Sequence, residues 1–187
     1  MIEKGALGIK EGKIVEVGSS LTNNDYTTKI DGKGQHLYPG IIALNTKVGL
    51  EEIEAVRATL DYQEVGLFNP NVRSVIAYNT DSDIIPTLRS NGVLMVQSVP
   101  QGGRISGQSS VLHLDAFNWE EAVIVSDNVI HLWFPARFHQ TGWWAEPGAA
   151  RGNKNYDMDI QAVQAYFDAA KAYSQKKAPE TKNLKFE

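Results

Sequence analysis

Asn45 and Lys47 lie two residues apart at the end of a short apolar run, Gly40-Ile41-Ile42-Ala43-Leu44. Alternate residues of a strand point to one side, so the pair is expected to project together from a strand end. An amide and a cation side by side could bind an anionic group of a small-molecule substrate. The alternative is a carboxylate elsewhere that neutralises Lys47, because a buried lysine needs such a partner. A second candidate is Gly102-Gly103-Arg104-Ile105-Ser106-Gly107-Gln108-Ser109. It approaches a phosphate loop, but Gln108 stands where that chemistry needs lysine. Arg104 and Gln108 are the side chains that could meet a ligand there; the alternative is a tight connection that needs flexible backbone. His113 and Asp115 share a strand face by spacing, and His131 and His139 flank an aromatic run. Neither spacing is a metal signature, and these histidines, with His36, read as ordinary hydrogen-bonded residues. Trp133, Phe134, Phe138, Trp143 and Trp144 could stack on a sugar, form a subunit contact or cover a larger fold. Glu51, Glu52 and Glu54 read as a solvated face.

The composition sets the frame for these candidates. The chain has 187 residues, 42% hydrophobic and 21% charged, with a net charge of −4. That is the make-up of a folded domain with a real core. Basic residues are scattered apart from Lys176-Lys177, which argues against a nucleic-acid surface. With no cysteine there is neither a disulfide nor a thiolate zinc site. No apolar run approaches the roughly 18 residues of a membrane span, and Met1 to Gly5 does not read as a signal peptide. Compartment is not fixed by any of this.

Position follows from the elements. Leu7 to Ile9 and Ile14 to Val17 read as a β-hairpin turning through Lys10-Glu11-Gly12-Lys13, and Thr27 to Ile30 as a third short strand. Gly40 to Leu44 reads as a strand buried on both faces, and Glu51 to Tyr62 as either a helix or irregular chain. A helical turn follows Val72. Asp81-Ser82 is expected to cap a helix that carries Pro86 in its first turns and ends at Asn91-Gly92. Val93 to Val96 is a second buried strand, giving a βαβ step. Val111 to Leu114, Ala122 to Val125 and Val129 to Leu132 are separate strand candidates. Trp133 to Asn155 reads as a long loop. A last helix starts at Asp157 with Ile160, Val163, Phe167 and Ala170 as its buried stripe. Lys171, Lys176 and Lys177 suit its C-terminal end, and Ala178-Pro179 stops it.

Several of these pieces together resemble a known family. The hairpin Ile9-Lys10-Glu11-Gly12-Lys13-Ile14-Val15-Glu16-Val17-Gly18, the turn Ile30-Asp31-Gly32-Lys33-Gly34 and the run Tyr38-Pro39-Gly40-Ile41-Ile42 resemble the opening of the metal-dependent amidohydrolase superfamily. The imidazolonepropionase-like branch is the nearest, since its Ser-Gly-Gln segment is similar to Gly103 to Ser109. The resemblance runs over most of residues 1–125. It implies an α/β fold: residues 1–39 as part of a small β-sandwich, and 40–187 as the first three units of a (β/α)8 TIM-type barrel. It also implies metal-assisted hydrolysis of non-peptide C–N bonds, with a divalent ion such as zinc. The family's Asp-x-His-x-His pattern, however, falls on Ala43, Asn45 and Lys47. Protonated lysine has no lone pair to give a metal, so no metal is expected from this strand. The family's remaining ligands come from later strands and are absent here. Three units cannot close a barrel, so the chain reads as a piece of a longer protein. Two functions stay open: a hydrolase whose metal is held by later strands, and an inactive homologue that binds a partner. The partner would be the rest of its own chain or a homologous subunit. A carbohydrate-binding module built on the Trp segment is a third.

Overall fold

The computed structural model describes residues 2–22, 25–175 and 182–186. The chain divides into two compact units, Met1–Pro39 and Gly40–Glu187. In the first, β1 (Ala6–Lys10) and β2 (Lys13–Gly18) pair antiparallel. Lys10 faces Lys13, leaving a two-residue turn in which Glu11 and Gly12 both take positive φ, 51° and 73°. That is the hairpin turn whose twist matches its strands. The expected third strand at Thr27 to Ile30 does not form, and the described strands of this unit are the two of the hairpin.

The second unit is built on a four-stranded sheet of order β3-β4-β5-β6: Ile41–Thr46, Val93–Ser98, Ile105–His113 and Val123–Leu132. β3 and β4 are parallel, joined through α1 (Ile84–Ser90). β5 runs antiparallel to both β4 and β6. A two-stranded hairpin, β7 (Phe138–Trp143) with β8 (Glu146–Gly152), and the long α3 (Tyr156–Ser174) complete it. A four-residue helix, α2 (Trp119–Ala122), is capped by the Asn118 side chain, which accepts from the Glu121 N–H.

The barrel expectation is overturned. The described residues are mostly β, with three α-helices, sheets of two, four and two strands, and no closed barrel. A parallel pair needs a crossover of a dozen or more residues. Only β3 to β4 has one. The connections from Val99 to Arg104 and from Leu114 to Ala122 are too short, so their strands turn back antiparallel.

Other local expectations change for equally simple reasons. Glu51 to Tyr62 is not a helix; Glu51 bridges to Leu60, and a single 3-10 turn spans Arg57–Thr59. The helical turn after Val72 is the 3-10 turn Ser74–Ala77. At the start of α1, Ser82 does not cap; its hydroxyl donates to Glu52, and Asp83 takes the N-cap position. Val123 to Val125 and Val129 to Leu132 belong to one strand, and Ala122 ends α2. The Trp segment is a hairpin instead of a loop. Along α3, Val163 is the buried residue and Phe167 is exposed; Tyr166 takes the inward place, stacked on Phe68 at 4.5 Å. Lys176, Lys177 and Ala178-Pro179 lie outside the described residues.

One face of the sheet carries the core. Val96 and Leu112 pack with Val75, Tyr78, Ile85, Leu114 and Ala122, and Ala43 and Val93 lie against them. β3 is an edge strand, so its apolar run is not buried on both faces as its composition suggests: Ile42 is 55% and Leu44 67% exposed. The consequence is measurable by urea unfolding. Leu112→Ala is expected to lose about 2–5 kcal/mol, while Leu44→Ala stays within about 0.5 kcal/mol of wild type. Equal losses would place Leu44 in a core.

Candidate functional site

The end of β3 does not present Asn45 and Lys47 as a regular strand would. The β3–β4 register breaks between Ala43 and Thr46, and Asn45 has φ of 54°. A left-handed residue turns the chain, so the alternation of sides does not carry from 45 to 47. Ala43 packs on the core. Asn45 gives its backbone N–H to Gln97 Oε1 at 3.3 Å. Lys47 pairs with Glu51 and lies 4.7 Å over the Tyr62 ring. Its hydrogen bond to Glu51 raises the ammonium pKa, and burial acts against that rise. A methyl group, an amide and a paired ammonium do not fit a divalent ion at this strand end.

The glycine-rich stretch is loop only as far as Arg104; Ile105 to Ser109 open β5. Arg104 pairs with Asp159 at 2.6 Å, tying the loop to α3. Asp159 is held below the usual carboxylate range by hydrogen bonds from Asn153 and then from Arg104. Gln108 gives its side-chain amide to the Pro70 carbonyl at 2.8 Å, and its backbone N–H to Val72 at 2.7 Å. Among the described residues, no hydrogen bond or ion pair joins any two of Asn45, Lys47, Arg104 and Gln108. The four are placed in separate local contacts.

The structure instead assembles a polar row across the sheet. The Asn45 N–H donates to Gln97 Oε1 on β4, Gln97 Nε2 donates to Ser109 Oγ on β5 at 2.9 Å, and Ser109 Oγ lies 2.7 Å from His131 Nε2 on β6. Four adjacent strands thus contribute one group each. Beside the bond from the Gln97 amide, the Ser109 hydroxyl can either donate to the His131 ring or accept from it. Burial favours the neutral ring by lowering the His131 pKa. Gln97 is not marked by any motif, and Ser109 only closes the glycine-rich stretch. The signal in the sequence is the period of two along Gly107, Ser109 and Val111, visible only once 105–113 is known to be one strand.

A serine hydroxyl on a neutral histidine is the arrangement of an activated nucleophile. Here Ser109 is fully buried, and among the described residues no carboxylate accepts from His131. The row therefore acts as a brace that satisfies polar groups inside the sheet. The other histidines stand apart: His113 Nε2 contacts the Glu121 carbonyl at 3.0 Å while its Nδ1 accepts from the Asp115 N–H, and His139 is exposed on β7. Among the described residues no group of three or more His, Cys, Asp or Glu side chains could hold a metal ion.

No protein-family model matches the chain, and no curated protein matches it. A solved structure does: the crystal structure of an amidohydrolase from Thermotoga maritima MSB8, with a TM-score of 0.72 and 20% sequence identity. The match covers 96% of this chain and 48% of that one. The chain is thus amidohydrolase-like in fold, and it spans about half the length of that neighbour. No helix among the described residues is long and apolar enough to cross a membrane.

Two measurements check the site. His131 is expected to titrate below the ordinary histidine value of 6.5 in an NMR pH series. Because its folded pKa is the lower one, the folded state binds fewer protons than the unfolded state near that value. Its contribution to stability is complete above pH 6.5 and is lost as pH falls from there through the folded pKa. A ring that titrates at or above the ordinary value would contradict the brace. Separately, Lys47→Met strands Glu51, whose side chain is 16% exposed, and is expected to cost about 1–2 kcal/mol, between a surface and a buried pair. A neutral effect would show that the pair carries no load.

Proposed function

We propose that this amidohydrolase-like chain is a binding or partner unit, not the part of a protein that holds a hydrolytic metal. The observation that carries the reading is the end of β3. There the resemblance to metal-dependent amidohydrolases calls for a carboxylate and two imidazoles, and Ala43, Asn45 and Lys47 are engaged with the core, Gln97 and Glu51.

The surface offered to a partner is the side of the four-stranded sheet opposite the core. Register places Ile42, Met95, Val111, Val125 and Val129 there around the Gln97-Ser109-His131 row. Ile42, Val125 and Val129 are exposed on it, which is unusual for a sheet face of β-branched residues. The occupant would correspond to the half of the neighbour's fold that this chain does not cover, carried by the same polypeptide or by a homologous subunit.

The second reading is metal-assisted hydrolysis of non-peptide C–N bonds, as in the imidazolonepropionase-like branch. It is favoured by the amidohydrolase neighbour and by the share of that structure, about half, left uncovered. In this reading every ligand to a zinc-like ion lies outside this chain. Elemental analysis and cyclic-amide hydrolysis by the full-length protein separate the two. The binding reading expects no stoichiometric zinc, manganese or iron and no turnover above the protein-free rate. A bound ion with turnover overturns it.

A further inference from the structure

We propose that the β7–β8 hairpin docks the protein onto an anionic phospholipid surface. Its tip carries Trp143 and Trp144, 57% and 88% exposed, and Phe138 further down is 64% exposed. Among the described residues the hairpin has no third strand, and an isolated pair of strands is marginal alone, so large apolar side chains held outward on it mark a contact surface. Gly142 makes the tip possible. Its φ is +83°, the register shifts beside it, and a Cβ there would collide with the Glu146 carbonyl oxygen.

Charge selects the occupant. Residues 133–155 hold Arg137, Arg151 and Lys154 against Glu146 alone, in a chain whose net charge is −4. Four cations elsewhere in this unit are paired, Lys47 with Glu51, Arg73 with Asp127, Arg89 with Asp115 and Arg104 with Asp159. Arg151 and Lys154 have no ion pair among the described residues. Together with His139, Asn153 and Asn155 they line a 570 Å³ recess at the base of the hairpin, with no acidic residue in its wall. His139 faces Arg151 across the two strands, while Trp143 faces Glu146 at the tip. The hairpin thus has an indole end and a basic base about 13 Å apart at strand rise. Indoles favour the membrane interface and Lys and Arg favour its phosphates. The two indole planes meet at 74°, edge to face.

Sedimentation of the full chain with vesicles tests the surface. The protein is expected to bind phosphatidylcholine vesicles containing phosphatidylserine, with a blue shift of tryptophan emission, and to leave pure phosphatidylcholine vesicles unbound. Trp143→Ala with Trp144→Ala, and separately Arg151→Glu with Lys154→Glu, are each expected to weaken binding about tenfold or more, as is high salt. Circular dichroism would show that each variant folds. Four results overturn the proposal: no binding to anionic vesicles, binding unchanged in the folded variants, tryptophan emission that answers to oligosaccharides and not to vesicles, or a self-association that the tryptophan pair supports in the absence of lipid.

Discussion

The connection from Val99 to Arg104 cannot cross a sheet, and the larger unit is arranged around that constraint. β5 must return antiparallel beside β4, and it does so with its Arg104 end clamped. The Arg104 and Ile105 N–H groups donate to Leu67, and the guanidinium reaches Asp159 on α3. Once β5 is fixed, β6 pairs along it, and Arg73 and Gln108 tie the preceding loop to the same strand. The sheet thereby acquires two unlike faces. One is closed by the segment from Val75 to Leu88 and by α2. The other carries the exposed Ile42, Val125 and Val129 around the buried Ser109.

The closed face shows how a small core tolerates hydroxyls. Ser98 and Ser110 are completely buried beside Val96 and Leu112. Each has a defined partner: Ser98 donates to the Val48 carbonyl, and Ser110 accepts from the Asp127 N–H. A buried hydroxyl without such a bond would cost about 1–3 kcal/mol. Asp127 is in turn held by Arg73 at 2.7 Å and by Ser126 at 2.6 Å. The same logic governs the opposite face, where Gln97 and Ser109 complete each other's hydrogen bonds. Polar groups here add definition to the strand register, because a slip would break each bond in the row.

What was legible in the sequence follows from how local its cause is. The β1–β2 turn is decided by Glu11-Gly12, and the end of α1 by Asn91-Gly92 with φ of +84° at the glycine; both can be read from neighbours in the chain. The βαβ step from β3 to β4 was also readable. Burial of Ile41 to Leu44 was not, because it depends on what covers an edge strand, and composition does not report that. The division of β6 at Ser126-Asp127-Asn128 was misread for a related reason. Those polar residues look like a break, yet Arg73 and Ser110, remote in sequence, hold Asp127 at φ of 49° as an irregularity inside one continuous strand. The Gln97-Ser109-His131 row needs three strands in register before it exists.

The same distinction bears on chemistry. Lys47 and Arg104 were conspicuous because a cation near glycine or at a strand end can meet a substrate. In the fold each meets a carboxylate first, Glu51 and Asp159, and a paired cation has less to offer a ligand. A ligand that displaced either partner would have to replace its hydrogen bonds and leave a half-buried carboxylate alone. Whatever a strand end of this kind could do for a ligand, the side chains on it decide whether it can. With Ala43 against the core, Asn45 turned left-handed and Lys47 bound to Glu51, the strand end holds its own chain together and leaves no pair of neutral donors pointing to one spot.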